Sequence, residues 1–345
     1  MIGPSVESNG GVSAIIKQLI DSSKLKDCIS TIETHKEGTR LYKFFIAVKA
    51  FLNFLLNAPF VDIVHIHLSL RASLYRKFPF FLFSKVLKKK TVIHMHEGEF
   101  DSLYSQLSSY SKKLVDYVIN NVDCLVVLSD EWKEYFLLKF PGCKRVVVIH
   151  NSVVVEEMEI PHPLTHDILF LGTLNENKNP GALIEAVPSL IPEFPDIKIY
   201  FAGNGNIDFY KKLASGLGIS EYCDFLGWID SSTRNTLFNK CSVICLPSNN
   251  EGLPMSLLEG MSFGLCPVSS AVGGIPSLIK TGSNGILCFQ NDSKNISEAI
   301  FQLFRNKDFY NSLSLSANKT IFDKFNIDQI SEQLLSEYLF LFNDK

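Results

Sequence analysis

The sequence predicts an α/β protein whose parallel sheets are divided between two domains. Short apolar runs recur along the chain, and most are continuous rather than alternating, which is typical of parallel strands covered on both faces. Longer segments of helical period lie between these runs, as expected for β/α units. The length of 345 residues exceeds one ordinary domain and fits two.

The expected strands and helices alternate along the chain. Strands are predicted at residues 63–66, 91–95, 124–128, 146–149, 168–171, 198–202, 223–226, 243–246, 265–269 and 285–289. Helices predicted between the later strands include 181–190, 207–217 and 255–263. Residues 1–4 resemble the tail of a first strand, followed at once by a helix. Either the start is truncated or this strand is very short.

A domain boundary is predicted at residues 152–165. This stretch carries acids and two prolines without a convincing period, which indicates an interdomain linker. We therefore expect a first domain over 1–152 and a second over 166–325, followed by a C-terminal helix at about 327–345. Ligands of parallel α/β sheets bind at the carboxyl ends of the strands. Two domains that face each other would place the site in the cleft between them.

The composition excludes several classes of protein. Hydrophobic residues make up 46% of the chain, which excludes a disordered protein, and the net charge of -3 argues against a nucleic-acid partner. Eight cysteines are scattered without a CxxC pair, which indicates buried free thiols rather than a zinc site or disulfide framework. No signal peptide is visible. Residues 41–60 are apolar but interrupted by two lysines and two asparagines, so we expect no membrane span there.

The segment 247–264 carries the strongest functional motif. It follows the predicted strand 243–246, and Pro254 suits the first position of a helix. The free N–H groups around Met255 and Ser256 would form an anion site, which the helix dipole strengthens.

Two carboxylates belong to this motif. Glu251 lies in the loop before the helix, and Glu259 lies more than one turn into it. Carboxylates accept hydrogen bonds from vicinal hydroxyls, which suits a ribose or a hexose. Two solvated glutamates near a helix start are the alternative interpretation.

The whole segment resembles the donor-site signature of family 4 glycosyltransferases (glycosyl transferases group 1). The resemblance rests on a strand, then Pro-Ser-x-x-Glu-Gly-Leu-Pro, then Leu-Leu-Glu-x-Met-x-x-Gly and finally Val-Gly-Gly-Ile-Pro at 272–276. It covers most of the chain and is sharpest over 168–289. It implies a retaining enzyme with the GT-B fold. This fold has two Rossmann-like domains, the active site in the interdomain cleft, and the C-terminal helix packed back on the first domain.

The resemblance also assigns roles to residues of this segment. It implies that Glu259 binds the ribose hydroxyls of the nucleotide and that Glu251 contacts the donor hexose close to the reacting carbon. The backbone after Glu251 would hold the diphosphate or the sugar, through Gly252, Leu253, Met255 and Ser256.

A second loop, after the predicted strand 168–171, resembles the family's phosphate clamp. The family places an arginine just after a glycine and a lysine six residues after it. Lys178 fits the lysine position, whereas Thr173 occupies the arginine position. Fixed cations stabilise the charge that a leaving diphosphate gathers, so one lost cation should cost a few kcal/mol unless another group replaces it. Lys178 taken alone could also be a solvated loop lysine.

Weaker matches supply the remaining candidate residues. Gly10 and Gly11 let the backbone approach a ligand and resemble the family's N-terminal loop, although an ordinary tight turn is the alternative. Loops at Gly203 and Asn204 contact the nucleotide base in the family, or are simple turns. His96 ends a predicted strand where the family places a histidine against the donor hexose, with His94 as its competitor.

Four histidines near strand ends also suggest a metal site. His94 and His96 share one face of their strand, and His65 and His67 end the preceding strand. No carboxylate or cysteine is spaced to complete a metal site, and GT-B enzymes generally need none. We therefore expect no metal and no other cofactor.

A basic and aromatic run at 71–90 allows two interpretations. Lysines beside exposed aromatic residues suit an anionic membrane surface, and the apolar helix predicted at 44–56 adds to that case. A core helix with a solvated lysine tail is the alternative.

Together these features predict a glycosyltransferase that moves a hexose from a nucleoside diphosphate sugar to a hydroxyl of a saccharide acceptor. From the resemblance we expect a lipid-linked acceptor and a role in bacterial surface polysaccharide synthesis, such as O-antigen in lipopolysaccharide or capsule. The enzyme would be cytoplasmic, with a peripheral position on the inner membrane face left open, as is its oligomeric state. The alternatives are a nucleotide-sugar epimerase, a hydrolase that uses the glutamates as an acid–base pair, and a non-catalytic GT-B partner protein, which Thr173 favours.

Overall fold

The computed structural model describes residues 1–8, 10–36, 38–70, 72–98 and 100–344. Asn9, Arg71 and Lys345, which belong to predicted segments, lie outside the described residues. The chain divides into two compact units. Unit 1 consists of Met1–Ser152 and the residues from Ile327 onward, and unit 2 consists of Val153–Asn326.

Unit 1 contains a parallel sheet with the strand order β2-β1-β3-β4-β5-β6. Its strands are β1 (Ile2–Gly3), β2 (Ile32–Glu33), β3 (Ile63–Leu68), β4 (Lys90–Met95), β5 (Cys124–Val127) and β6 (Val146–Val148). Its helices are α1 (Gly11–Asp21), α2 (Arg40–Asn57), α3 (Ala72–Val86), α4 (Phe100–Gln106), α5 (Ser109–Asn121), α6 (Asp130–Lys139) and, from the end of the chain, α14 (Ile327–Asn343).

Unit 2 contains a second parallel sheet with the strand order β12-β11-β10-β7-β8-β9. Its strands are β7 (Asp167–Leu171), β8 (Lys198–Ala202), β9 (Cys223–Gly227), β10 (Val243–Leu246), β11 (Cys266–Ser270) and β12 (Ile286–Cys288). Its helices are α7 (Pro180–Leu190), α8 (Ile207–Gly216), α9 (Ser231–Lys240), α10 (Met255–Ser262), α11 (Ile275–Leu278), α12 (Ser293–Arg305) and α13 (Lys307–Lys324).

The predicted α/β class with two parallel sheets is confirmed. All four residues of β5 are buried, and so are all four of β10, because helices cover both faces of each sheet. This explains why the strand sequences are continuously apolar. The sequence did not predict β2, which is only two residues long and half-buried. One expected detail differs, because Pro254 caps α10 from outside the helix instead of being its first residue.

The segment expected to be a linker packs onto unit 2 from Val153 onward. Val153 forms a parallel bridge with Asn326, and the Met158 N–H donates to Asn318 Oδ1 over 2.9 Å. His162 is buried, and its Nε2 lies 2.9 Å from the carbonyl oxygen of Phe238. This polar segment is therefore ordered against unit 2, since its backbone N–H groups find partners on α13 and the His162 side chain finds one on α9.

The C-terminal helix α14 belongs to unit 1. Arg145 Nε donates to Glu337 Oε2 over 2.9 Å, and Tyr338 Oη lies 2.5 Å from His65 Nδ1. These contacts tie α14 to β3 and to the loop before β6.

The apolar helix α2 lies in the stretch where we expect no membrane span, and that expectation stays a prediction. The stretch Leu41–Phe60 is long and apolar enough to cross a membrane by length and composition alone, despite Lys43 and Lys49. Only 17% of its apolar window is buried. Ala50 and Phe54 nevertheless belong to the core of unit 1, so one side of α2 packs on the protein.

Candidate active site

The loop between β10 and α10 holds Glu251 in a buried position. The carboxylate is only 7% exposed, and Ser248 Oγ donates to its Oε1 over 2.7 Å. Helix α10 begins four residues later at Met255, and the first N–H groups of a helix have no intrahelical acceptor. A buried carboxylate and a helix N-terminus therefore lie together at the carboxyl edge of the unit 2 sheet, where ligands of such sheets bind.

Two glycines after β11 are required by this loop. A Cβ atom on Gly273 would lie 1.8 Å from the carbonyl oxygen of Glu251, and one on Gly274 would lie 2.0 Å from that of Gly252. Gly273 also has a positive φ of 51°, which disfavours other residues. The Gly274 N–H donates to the Glu251 carbonyl over 3.2 Å. The Gly-Gly pair thus fixes the backbone on which the Glu251 side chain is presented.

Lys178 forms an ion pair with Glu251, in which Nζ lies 2.5 Å from Oε1. The two residues come from loops after neighbouring strands, β7 and β10. Three further hydrogen bonds join these loops, including Asn249 N–H to the Asn177 carbonyl over 2.7 Å and Asn177 Nδ2 to the Asn250 carbonyl over 3.2 Å. The structure therefore brings together the lysine and the glutamate that the sequence predicted separately.

Glu259 lies on α10 and forms an ion pair with an arginine that the sequence analysis missed. Arg234 of α9 donates from a guanidinium N–H to Glu259 Oε1 over 2.9 Å. Burial raises the pKa of the Glu259 carboxyl, and the charge of Arg234 partly opposes that rise. Arg234 Nε is buried and has no hydrogen-bond partner among the described residues. The neighbouring cation thus favours the charged form of Glu259 against the larger effect of burial.

The loops after β7 and β8 pair with each other beside this site. A Cβ atom on Gly203 would lie 1.9 Å from the carbonyl oxygen of Gly172, so only glycine fits there. The Leu174 N–H donates to the Asn204 carbonyl over 2.7 Å. Thr173 and Asn204 are exposed at this edge. The threonine brings no cation to the position where the resemblance expects an arginine.

In unit 1, His96 joins a stack of histidines. His96 Nε2 lies 2.8 Å from His67 Nδ1, and the rings of His65, His67, His94 and His96 stack with centroid distances between 4.3 and 5.4 Å. Burial lowers the pKa of all four, that of His94 to about 3. The four imidazoles are therefore neutral at pH 7.

The same stack contains a possible metal-ligand set. One ring nitrogen from each of His65, His67 and His94 lies within 4.8 Å of the others. Several of these nitrogens, including both of His94, have no hydrogen-bond partner among the described residues. The rings of neighbouring pairs are nearly parallel, at 18° and 24°, whereas ligand lone pairs lie in the ring planes and must converge on an ion. The expectation of no metal stays a prediction.

Gly10 and Gly11 lie where β1 passes into α1. Gly10 caps the helix with a φ of 137°, which glycine adopts readily, and Gly11 is the first helical residue. A Cβ atom on Gly10 would meet nothing within 4 Å. The glycine is therefore explained by backbone conformation, and its predicted role toward a ligand stays a prediction.

Unit 1 also contains an apolar cavity of about 310 Å³. Its lining includes Met1, Ile63 and Phe54, so it lies at the amino edge of the sheet. Ligands of parallel α/β sheets bind at the opposite edge. We therefore do not assign the cavity to the active site.

The comparison with protein families identifies the region that contains the site. Residues 163–320 match the profile of the family described as Glycosyl transferases group 1. These residues include Lys178, Glu251 and Glu259, together with the Gly-Gly pair that supports the loop.

Relatives by sequence are glycosyltransferases. An uncharacterized glycosyltransferase of Methanocaldococcus jannaschii is 29% identical over 172 residues, 50% of this chain and 44% of that protein. The GalNAc-alpha-(1->4)-GalNAc-alpha-(1->3)-diNAcBac-PP-undecaprenol alpha-1,4-N-acetyl-D-galactosaminyltransferase of Campylobacter jejuni is 31% identical over 173 residues, 49% of this chain and 46% of that protein. The chain spans about half the length of the first curated relatives that it matches.

Solved structures share the fold at low sequence identity. A sucrose-phosphate synthase of Thermosynechococcus elongatus has a TM-score of 0.82 at 16% identity, covering 100% of this chain and 99% of that one. Anabaena HepE in complex with UDP-glucose has a TM-score of 0.77 at 14% identity, covering 98% of both chains. Residues 163–320 are therefore similar to the family of glycosyl transferases group 1, and the fold of the chain is GT-B.

Proposed function

We propose that this protein is a retaining glycosyltransferase that moves a hexose from a nucleoside diphosphate sugar to a hydroxyl of a saccharide acceptor. The observation that carries the proposal is the ion pair between the half-buried Lys178 and the buried Glu251 beside the N-terminus of α10. The lysine and the helix terminus provide positive charge for a diphosphate. The carboxylates of Glu251 and Glu259 provide acceptors for sugar hydroxyls.

In the proposed reaction, the bond between the anomeric carbon and the diphosphate oxygen breaks while the acceptor oxygen attacks from the same face. The acceptor proton passes to the leaving phosphate, so no separate protein nucleophile is needed. Lys178 neutralises the leaving diphosphate, and Glu251 holds the hexose near the reacting carbon. No resident metal or cofactor is part of this proposal, since Lys178 and α10 supply the positive charge.

The substrates and location are proposed on chemical grounds and by analogy. The C. jejuni relative is named for an acceptor linked to undecaprenol diphosphate, and HepE binds UDP-glucose. We therefore propose a lipid-linked acceptor, a role in bacterial surface polysaccharide assembly, and action at the cytoplasmic face of the membrane. Seven cysteines are buried free thiols and Cys28 is exposed, which fits a reducing compartment.

A thermal-shift screen of purified protein against nucleotides and nucleotide sugars tests donor binding. A ligand present at 100 times its dissociation constant should stabilise the protein by about 2.7 kcal/mol. Product analysis with the stabilising donor then identifies the reaction, and the anomeric configuration of the product tests retention.

Three results would contradict the proposal and point to its alternatives. Conversion of the donor sugar without an acceptor would indicate an epimerase. Cleavage of unactivated glycosides without nucleotide binding would indicate a hydrolase. Stabilisation by no nucleotide or nucleotide sugar would support a non-catalytic partner protein, which the missing cation at Thr173 favours.

A further inference from the structure

We propose that one surface of unit 1, the α2–α3 face, binds the surface of an anionic lipid bilayer and lies along it without crossing. The face consists of the exposed side chains of α2, of the turn 58–60 and of the end of α3 through Lys89. This inference uses residues away from the unit 2 site and does not depend on the proposed transferase activity.

The face is apolar to an unusual degree for a protein surface. Leu52, Leu56, Phe60 and Val86 are 56%, 74%, 86% and 67% exposed. Further exposed apolar residues at 41, 44, 45 and 48 extend the surface toward the start of α2. An extended apolar surface on a folded domain marks a site of protein or membrane contact.

The two helices form one continuous surface. The rings of Phe51 in α2 and Phe83 in α3 lie 5.2 Å apart and nearly perpendicular. At the far end, Lys89 Nζ donates to the carbonyl oxygen of Pro59 over 2.9 Å. These contacts join the C-terminal ends of both helices at the turn that carries Phe60.

The inner side of α2 determines that the helix lies on a bilayer and does not cross it. Ala50 and Phe54 are buried in the core of unit 1, and Phe54 packs on Phe80 with ring centroids 5.3 Å apart. A spanning helix would have to leave this core and expose Phe80. A helix with one side on the protein and an apolar outer side suits the interface plane.

The charge of this region favours an anionic bilayer. Residues 40–90 contain ten lysines and arginines and one acid, Asp62, whereas the whole chain has a net charge of -3. Some of these cations are already paired, as in Lys85 with Asp123 and Lys90 with Asp344. Lys49 and Lys88 are exposed on the face. Each lysine near an anionic membrane surface contributes attraction.

The same charge argues against a second copy of the chain as the occupant. In a two-fold dimer the same patch would face itself, so that its lysines would meet like charges. Anionic lipid headgroups complement both the lysines and the apolar side chains between them.

Vesicle co-sedimentation of the full chain tests the proposal. We expect the wild type to bind vesicles that contain phosphatidylglycerol, and to bind pure phosphatidylcholine vesicles at least about 30-fold more weakly. A Lys49→Glu/Lys88→Glu variant should bind the phosphatidylglycerol vesicles at least about 30-fold more weakly than the wild type does. A Lys211→Glu/Lys212→Glu variant changes the net charge equally on exposed residues of α8 and should bind as the wild type does.

A second variant tests the apolar part. Leu52→Ser/Leu56→Ser/Phe60→Ser should lower vesicle partitioning by at least about 100-fold. Its thermal midpoint should stay near that of the wild type, because all three side chains are exposed. The control Leu138→Ser/Val154→Ser/Ile160→Ser removes equally exposed side chains elsewhere.

Two results would overturn the proposal. The first is equal binding of the wild type to anionic and neutral vesicles, or binding to neither. The second is a dimer in sedimentation equilibrium that the Leu52→Ser/Leu56→Ser/Phe60→Ser variant dissolves, which would assign the face to a second copy. Nucleotide binding, measured without vesicles, should be the same in all variants, so a failure here is separable from a failure of the proposed reaction.

Discussion

The two sheets share an architecture, yet their ligand-binding edges carry different chemistry. In unit 2, the loops after β7 and β10 bring Lys178 to Glu251, and helices α9 and α10 bring Arg234 to Glu259. In unit 1, β3, β4 and the residue after β4 carry four stacked histidines that burial keeps neutral. The difference teaches that side-chain chemistry, and not the parallel sheet itself, determines which edge can hold an anionic nucleotide.

The largest effect is expected from a substitution at the charged edge of unit 2. Replacing Glu251 by Gln keeps the shape but removes the charge that pairs with Lys178 and that we propose accepts hydrogen bonds from the donor hexose. We expect kcat to fall by roughly 10²–10³-fold, measured with the donor found in the thermal-shift screen. Glu185→Gln, on the exposed side of α7, is the matched control and should leave kcat unchanged. Full activity of Glu251→Gln would refute the assignment.

A second change tests whether the backbone of that edge is as constrained as its contacts indicate. Gly273→Ala places a Cβ atom 1.8 Å from the Glu251 carbonyl oxygen, at a positive φ. We expect a loss of about 3 kcal/mol in the free energy of unfolding, measured in urea. Gly216→Ala at the end of α8, where a Cβ atom meets nothing within 4 Å, should cost nothing measurable. Equal stability of both variants would contradict the account of this loop.

A third prediction concerns the neutral edge of unit 1. The folded-state pKa of His94 is about 3, below its ordinary value of 6.5, so the unfolded chain takes up a proton that the folded chain does not. Stability is therefore lost as the pH falls below 6.5. His94→Leu should reduce the loss between pH 7 and pH 4.5 by about 2–3 kcal/mol, measured by urea unfolding at both values. Met95→Leu on the same strand should retain the full loss, and an unchanged slope in His94→Leu would contradict the prediction.

The smallest effect is expected from a substitution of Arg234, which tests its role beside Glu259. Without this cation the pKa of Glu259 should rise further, because burial already raises it and Arg234 opposes that rise. Arg234→Met should weaken nucleotide binding about tenfold at pH 7, equivalent to about 1.4 kcal/mol, and more strongly at lower pH as Glu259 protonates. Calorimetric titration at pH 6 and pH 8 measures this. Arg234→Lys should restore most of the affinity, and a pH-independent defect would contradict the positioning role.

Local sequence patterns were sufficient for the fold and for part of the site. The ten predicted strands correspond to strands of the structure, because a buried parallel strand needs a continuous apolar run such as 243–246. Lys178 and Glu251 were both selected from their motifs, and the structure joins them in one ion pair. The roles assigned to them toward the donor stay predictions.

Other features depend on tertiary contacts that a single sequence does not encode locally. Arg234 lies in a polar helix with no pattern that links it to Glu259, 25 residues away. Residues 153–165 have the composition of a linker, but His162 is buried against the backbone of Phe238. Helix α2 is apolar on most of its circumference, so its periodicity did not identify the side that faces the core.

The central claim is that the charged edge of unit 2 is the donor site. Calorimetric titration of a nucleotide sugar into three proteins tests this claim most directly. The proteins are the wild type, Glu259→Ala and the control Glu185→Ala. We predict that Glu259→Ala binds at least about tenfold more weakly because the ribose loses its carboxylate, whereas Glu185→Ala binds as the wild type does. Equal affinity in all three proteins would contradict the claim.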